Sequence, residues 1–161
     1  MPKTSRKGLT AKQRGLLNGY MSGLEKDTGA DLAERGIGFL FEPVRLPYFK
    51  PVTHHTYKGD FFLRRDRGVV LADAFEAQKW FDDEAFWADH FLVETKGRFT
   101  LKDRQKHLFI QAQHPAVDIR FLFTRSKSPI RKGSKTTYAN WCEKNGFLYA
   151  DKVVPDEWFD T

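Results

Sequence analysis

The apolar positions change their period several times along the chain, and each change marks an element. Over residues 22–35, Leu24, Leu32 and Ala33 share one side of a helix, Ser22 stands where an N-cap belongs and Gly36 where a helix stops, although Thr28 and Gly29 are poor helix formers. Gly38-Phe39-Leu40-Phe41 is a short apolar strand. Pro43, Pro47 and Pro51 then keep the chain extended and out of a central strand position, so this stretch reads as a connector or an edge. Residues 57–63 and 91–96 are β-type runs with a carboxylate inside each, Asp60 and Glu94. Between them, Phe75, Trp80, Phe81, Phe86 and Trp87 recur among acids at helical spacing, which predicts one or two amphipathic helices at a hairpin tip, with Asp82 or Asp83 capping the second. Leu108, Phe109 and Ala112 predict a helix over 102–113 that His114-Pro115 ends. Residues 119–123 are the most strand-like run, and 136–144 predict a last helix capped by Thr136 and stopped by Gly146.

Helices and strands alternating around one sheet predict a mixed α/β domain. Residues 1–19 are polar, basic and without period and read as a flexible arm; 20–161 read as one folded domain with an acidic, aromatic insert at about 64–90. At 161 residues and 40% hydrophobic content, one core is large enough to need neither disulfide nor metal staple. The short apolar runs predict no membrane span and no secretion signal, hence a cytoplasmic protein. The single cysteine, Cys142, excludes an intrachain disulfide and a Cys-x-x-Cys zinc site; it reads as a small buried apolar residue in a helix.

Charge adds a partner. The net charge of +6 is unevenly spread: residues 1–20 carry five basic and no acidic side chains, 95–135 carry eleven basic and two acidic, and 71–90 carry six acids and one lysine. A chain sorted this way presents a basic face that attracts a phosphate backbone and an acidic face that repels one.

Asp60, near the end of one strand, and Glu94-Thr95-Lys96 on the next bring two carboxylates and an ammonium together. Strand alternation points Glu94 and Lys96 to one face and Thr95 away. Clustered carboxylates call for a hard cation such as Mg²⁺, beside which Lys96 would orient water or stabilise charge on a scissile phosphate. The plainer reading of Glu-x-Lys is a surface ion pair. Asp followed by Glu-x-Lys is nonetheless the pattern of the PD-(D/E)xK nucleases. Arg98, Lys102, Arg104, Lys106 and His107 follow directly and are candidates for phosphate contact, with a solvated surface as the alternative. His54 and His55 point to opposite sides of an extended chain, so one at most faces a site. His107 and His114 lack metal-ligand spacing and read as structural. Ser22-Gly23-Leu24-Glu25 reads as a capping box.

Taken together, Ser22-Gly23-Leu24-Glu25, His55-Thr56-Tyr57 with Asp60-Phe61, Val93-Glu94-Thr95-Lys96-Gly97, Asp103-Arg104-Gln105-Lys106-His107-Leu108, Gln113-His114-Pro115, Asp118-Ile119-Arg120, Lys132-Gly133-Ser134 and residues 147–158 resemble, in order, the bacteriophage endonuclease I family, the Holliday junction resolvases of T-odd phages. The resemblance implies a restriction-endonuclease-like mixed sheet flanked by helices, and a homodimer whose chains exchange segments so that each active site draws on both. The stiff 47–51 stretch would suit such a crossing. By resemblance Glu25, Asp60, Glu94 and Lys96 are the catalytic set; Glu25, Asp60, Glu94 and the main-chain carbonyl of Thr95 would hold two Mg²⁺ ions, with Mn²⁺ as substitute. The implied activity is structure-selective nicking of branched DNA such as a four-way junction, in the cytoplasm of an infected host. The alternatives are a nuclease for ordinary duplex and a non-catalytic nucleic-acid binder. Two departures stand out: the 64–90 insert replaces a short hairpin, its acidic stretch 71–90 reading either as a docking surface for a protein partner or as a structural element, and the family's Lys-rich C-terminal tail is missing.

Overall fold

In the computed structural model, residues 22–42, 45–50, 53–68 and 84–159 are described. The expected basic arm, most of the insert and its proposed caps Asp82 and Asp83 lie outside them. The chain runs through α1 (Gly23–Glu34), β1 (Phe39–Phe41), β2 (Arg45–Lys50), β3 (Thr53–Lys58), β4 (Phe61–Arg64), α2 (Glu84–Ala88), β5 (His90–Lys96), α3 (Leu101–Gln113), β6 (Ile119–Phe123), α4 (Tyr138–Asn145), β7 (Tyr149–Asp151) and a closing 3-10 turn (Asp156–Phe159). A five-stranded sheet is ordered β1-β4-β5-β6-β7, and β2 and β3 form a separate two-stranded ribbon. The sheet is antiparallel from β1 to β5 and parallel from β5 to β7, the mixed α/β architecture that the element order predicts.

The central strands are apolar on both faces because both are covered. Phe62, Leu92, Phe121 and Phe123 pack with Ile110 of α3, Tyr138 and Cys142 of α4, and Leu46, Tyr48 and Tyr57 of the ribbon. Phe61, Leu63, Phe91, Val93 and Leu122 pack on the opposite side with Leu32 of α1 and Val154, Trp158 and Phe159 near the C-terminus.

Several boundaries differ from the sequence expectation. The 57–63 run is two strands in two sheets, broken at Gly59-Asp60: Leu92 lies so close to Gly59 that an added Cβ would stand 3.0 Å from its Cδ2. The proline-rich stretch contributes β2, one half of the ribbon, in which Pro47 lies opposite Thr56. In α1 the supposedly weak Thr28 and Gly29 are buried and Ala33 is exposed. In α3 the inner face is Arg104, His107 and Ile110, while Leu108 and Ala112 face outward. The last helix is capped by Thr137, one residue later than expected, and β7 has no counterpart in the pattern reading. Gly36 and Gly146 stop their helices at φ +66° and +72°, as glycine at that position allows.

Arg120 on β6 is almost wholly buried. Its Nε and Nη2 donate to Asp118 Oδ2 at 3.0 and 2.7 Å, its Nη1 donates to the Trp158 carbonyl at 2.6 Å, and its guanidinium lies 4.3 Å from the Phe91 ring centre. Truncating such a group strands the carbonyl and half of Asp118's pairing, so Arg120→Ala is expected to lose about 3 kcal/mol in urea unfolding. A loss below about 1 kcal/mol would contradict this account.

Candidate active site

The site sits where β4, β5 and the ribbon meet. Phe61 pairs with Val93, so Asp60, one residue before β4, lies level with the Glu94-Thr95 end of β5. Asp60 Oδ2 accepts the Thr95 N–H at 2.8 Å and the Thr95 hydroxyl at 2.7 Å. Glu94 is 1% exposed. Alternation along β5 brings Lys96 back to the same face, where its Nζ lies 2.5 Å from Glu94 Oε1. From the ribbon, the Tyr57 hydroxyl donates to Glu94 Oε2 at 2.6 Å. From α3, Lys106 Nζ and His107 Nε2 stand 3.6 and 3.5 Å from Oε1. His107 faces the Asp103 carbonyl at 2.8 Å through Nδ1; a carbonyl only accepts, so Nδ1 carries the hydrogen and neutral His107 turns a lone pair toward Glu94. With no proton between them, Nε2 and Glu94 Oε1 make no hydrogen bond.

These neighbours set the charges. Burial opposes ionisation of Glu94, but Lys96 above all, with Lys106, holds its carboxyl well below the usual range. Burial likewise works against the Lys96 ammonium, and Glu94 with Asp60 outweighs it, so Lys96 stays charged. Asp60 goes the other way: burial, and then the charge of Glu94, push it up to about 7 against the opposing pull of Lys96 and Thr95. Burial lowers His107 and keeps it neutral, with Glu94 opposing. Two acids driven apart in this way, with a fixed cation between them, mark a site that takes further positive charge.

The fit to a divalent metal follows from that donor set. Asp60 and Glu94 are hard oxygen donors in contact with one another's charge, and Asp60 holds a proton near neutral pH that a cation would displace. Glu25, the third expected ligand, is 8% exposed and closes the capping box of α1: its Oε2 accepts the Ser22 N–H, and its own N–H donates to Ser22 Oγ, both at 3.2 Å. Among the described residues no three His, Cys, Asp or Glu side chains gather closely enough to hold one ion. One chain thus brings together Asp60, Glu94, Thr95 and Lys96, with Glu25 engaged at its own helix start.

Of the expected phosphate contacts, Arg98 and Lys102 are exposed and Lys106 is half-buried beside Glu94. Arg104 and His107 are buried. Arg104 donates to the Phe99 carbonyl at 2.7 Å, and His107 lies under Tyr57 and Phe121. Their place on the inner face of α3 makes them structural in this chain, the role that spacing suggested for His107. His114 donates through Nε2 to the Pro47 carbonyl and ties the ribbon to the end of α3. Sequence reasoning missed Tyr57 and the contacts of Lys106 and His107 with Glu94, because they join three elements distant in the chain. The recurrence of Arg104, His107 and Ile110 every third residue was the available signal.

Comparison with known proteins decides the family. A sequence model described as Phage endonuclease I matches residues 6–79 and 75–161. The chain is 37% identical over 151 residues to Endonuclease I of Escherichia phage T7, covering 94% of this chain and 85% of that protein. It is 39% identical over 136 residues to Endodeoxyribonuclease 1 of Enterobacteria phage T3, covering 84% and 74%. The chain belongs to the phage endonuclease I family. The two stretches matched by the phage endonuclease I model meet at residues 75–79, inside the insert that the sequence set apart.

Within this phage endonuclease site, Tyr57 holds one oxygen of Glu94 while three cationic or imidazole groups gather at the other. Tyr57→Phe keeps the ring packing and removes only that donor. It is expected to cost about 2 kcal/mol of stability, the range for a buried hydrogen bond to a charged group, read by chemical denaturation at pH 7.

Proposed function

We propose that this phage endonuclease cuts branched DNA selectively, nicking strands at four-way junctions by metal-dependent hydrolysis of the phosphodiester. The observation that carries the reading is the set Asp60, Glu94 and Lys96: a buried carboxylate pair whose members are held at different protonation, beside an ammonium held charged. The names of the phage T7 and T3 relatives support DNA as the substrate. Mg²⁺ suits a site with one or two carboxylates, a carbonyl and room for water, so Asp60, Glu94 and the Thr95 carbonyl would hold it, and Glu25 would complete a second position. When bound, the metal supplies Lewis-acid stabilisation of the phosphate and an activated water. Lys96, held beside Glu94, would stabilise the charge that builds on the scissile phosphate. Tyr57 keeps the Glu94 carboxylate in one orientation.

A homodimer is part of this proposal, because paired nicks at a junction need two sites. The ribbon is the segment whose exchange would join them: it pairs with no described strand of the main sheet, yet it delivers Tyr57 to Glu94. Cleavage of a labelled immobile junction, against a linear duplex of the same arm sequence, tests the reading. Paired nicks near the branch point that require Mg²⁺ or Mn²⁺ and far outpace duplex cutting are expected. Equal cutting of both would make this a general duplex nuclease, and tight binding without cutting a silent binder.

A further inference from the structure

Just beyond Lys96 the surface holds positive charge with nothing opposite it. A cleft of about 750 Å³ opens between the loop entering α3 and the turn before α4, lined by Arg98, Leu101, Pro129, Ile130, Arg131 and Lys132 among others. Buried Arg104 braces it from beneath, its Nη1 donating to the Phe99 carbonyl at 2.7 Å and to the Ile130 carbonyl at 3.4 Å, one on each wall. The second wall is a built turn. The Ser134 N–H donates to the Arg131 carbonyl at 3.0 Å with Gly133 at φ +76°, the left-handed geometry a type II turn needs at its third residue. The Ile130 N–H, bonded to the Thr136 carbonyl at 3.0 Å, and a Pro129–Thr137 bridge pin its stem. Arg131 and Lys132 are thereby held outward on a rigid tip.

Several arginines elsewhere in the fold are neutralised. Arg35, Arg64, Arg65, Arg67 and Arg120 all pair with carboxylates. Arg98, Arg131 and Lys132 are exposed and have no ion-pair partner among the described residues, and no acidic side chain lines the cleft. Leu101, 61% exposed, adds an uncovered apolar surface between Arg98 and Lys102. Arg98 is at most about 7 Å of extended chain from Lys96, roughly two nucleotides of rise along one duplex strand.

We infer that this cleft is a DNA-strand subsite flanking the cutting site, with phosphates against Arg98, Arg131 and Lys132 and sugar faces against Leu101, Pro129 and Ile130. The inference rests on the nuclease reading above. It assigns Arg131 and Lys132, far from the catalytic motif in sequence, to substrate binding, and gives Arg104 the task of holding the cleft open.

The test uses the full chain carrying Arg131→Gln with Lys132→Gln, or Leu101→Ser alone, with melting temperatures confirmed equal to wild type. Binding of a fluorescent four-way junction and of a linear duplex is measured without divalent metal from 50 to 200 mM salt. The double variant is expected to bind at least tenfold more weakly and to lower the slope of log affinity against log salt by about 2. Leu101→Ser is expected to weaken binding severalfold at unchanged slope; unchanged affinity would overturn the apolar floor. Wild-type affinity and slope in the double variant, while wild type binds, would overturn the subsite alone. Wild-type protein that binds neither DNA would overturn the nuclease reading and the subsite together.

Discussion

Glu94→Gln protein is expected to lose cleavage of branched DNA by about a thousandfold while still binding it, measured under single turnover with protein in excess. The substitution keeps the shape of a side chain that is 1% exposed and takes away one charge, and that charge has two functions. It is half of the carboxylate pair that would hold the metal, and it is the chief partner of Lys96. Without it Lys96 turns toward Asp60, whose pKa falls from about 7 because the second largest cause of its elevation is gone. The variant site would hold the metal less well and would lose the partner that positions its ammonium. Cleavage within tenfold of wild type would remove Glu94 from the catalytic set.

The second large effect is on stability, and its sign runs against the usual acid-denaturation pattern. Asp60 titrates near 3.8 when unfolded and at about 7 when folded, so the folded state holds its proton more tightly. The stability this gives is fully present below the unfolded value and is lost as pH rises through the folded one, about 4 kcal/mol at most across that window. Asp60→Asn removes the titration while its amide oxygen still accepts from Thr95. In metal-free buffer at pH 8, Asp60→Asn protein is therefore expected to be more stable than wild type, with the difference vanishing near pH 4. Millimolar Mg²⁺ is expected to close the gap at pH 8 by stabilising the wild type alone. Urea titrations at both pH values, with and without Mg²⁺, decide the matter: a less stable variant at pH 8 without metal would contradict the burial of Asp60 beside Glu94.

How much of this was legible along the chain depends on the range of the interaction. Local patterns were read correctly where one element settles them: Ser22 and Gly36 bound α1, residues 119–123 are β6, and alternation put Glu94 and Lys96 on one face. The 57–63 run failed because it divides between two sheets at Gly59-Asp60, where Leu92 leaves no room for a side chain, a contact between strands that no local pattern carries. The α3 face was misread for a related reason. Arg104 and His107 look like surface groups by residue type, and they are buried because the Phe99 and Asp103 carbonyls lie where their polar ends arrive. Glu25 was legible as both cap and catalytic residue, and the cap is what the described chain contains. Fold class and the meeting of Asp60, Glu94 and Lys96 were thus readable, while the groups packed around them were not.

The convergence on Glu94 makes the site a reporter of completed folding. Tyr57 comes from the ribbon, Lys96 from the central strand, and Lys106 and His107 from α3. A chain still emerging from synthesis, with its ribbon not yet seated, lacks the donor that fixes one oxygen of the carboxylate. Such a chain carries the acids and lysines of the site without the order that joins them. Order at Glu94 is thereby a property of the assembled fold, because no single element supplies it.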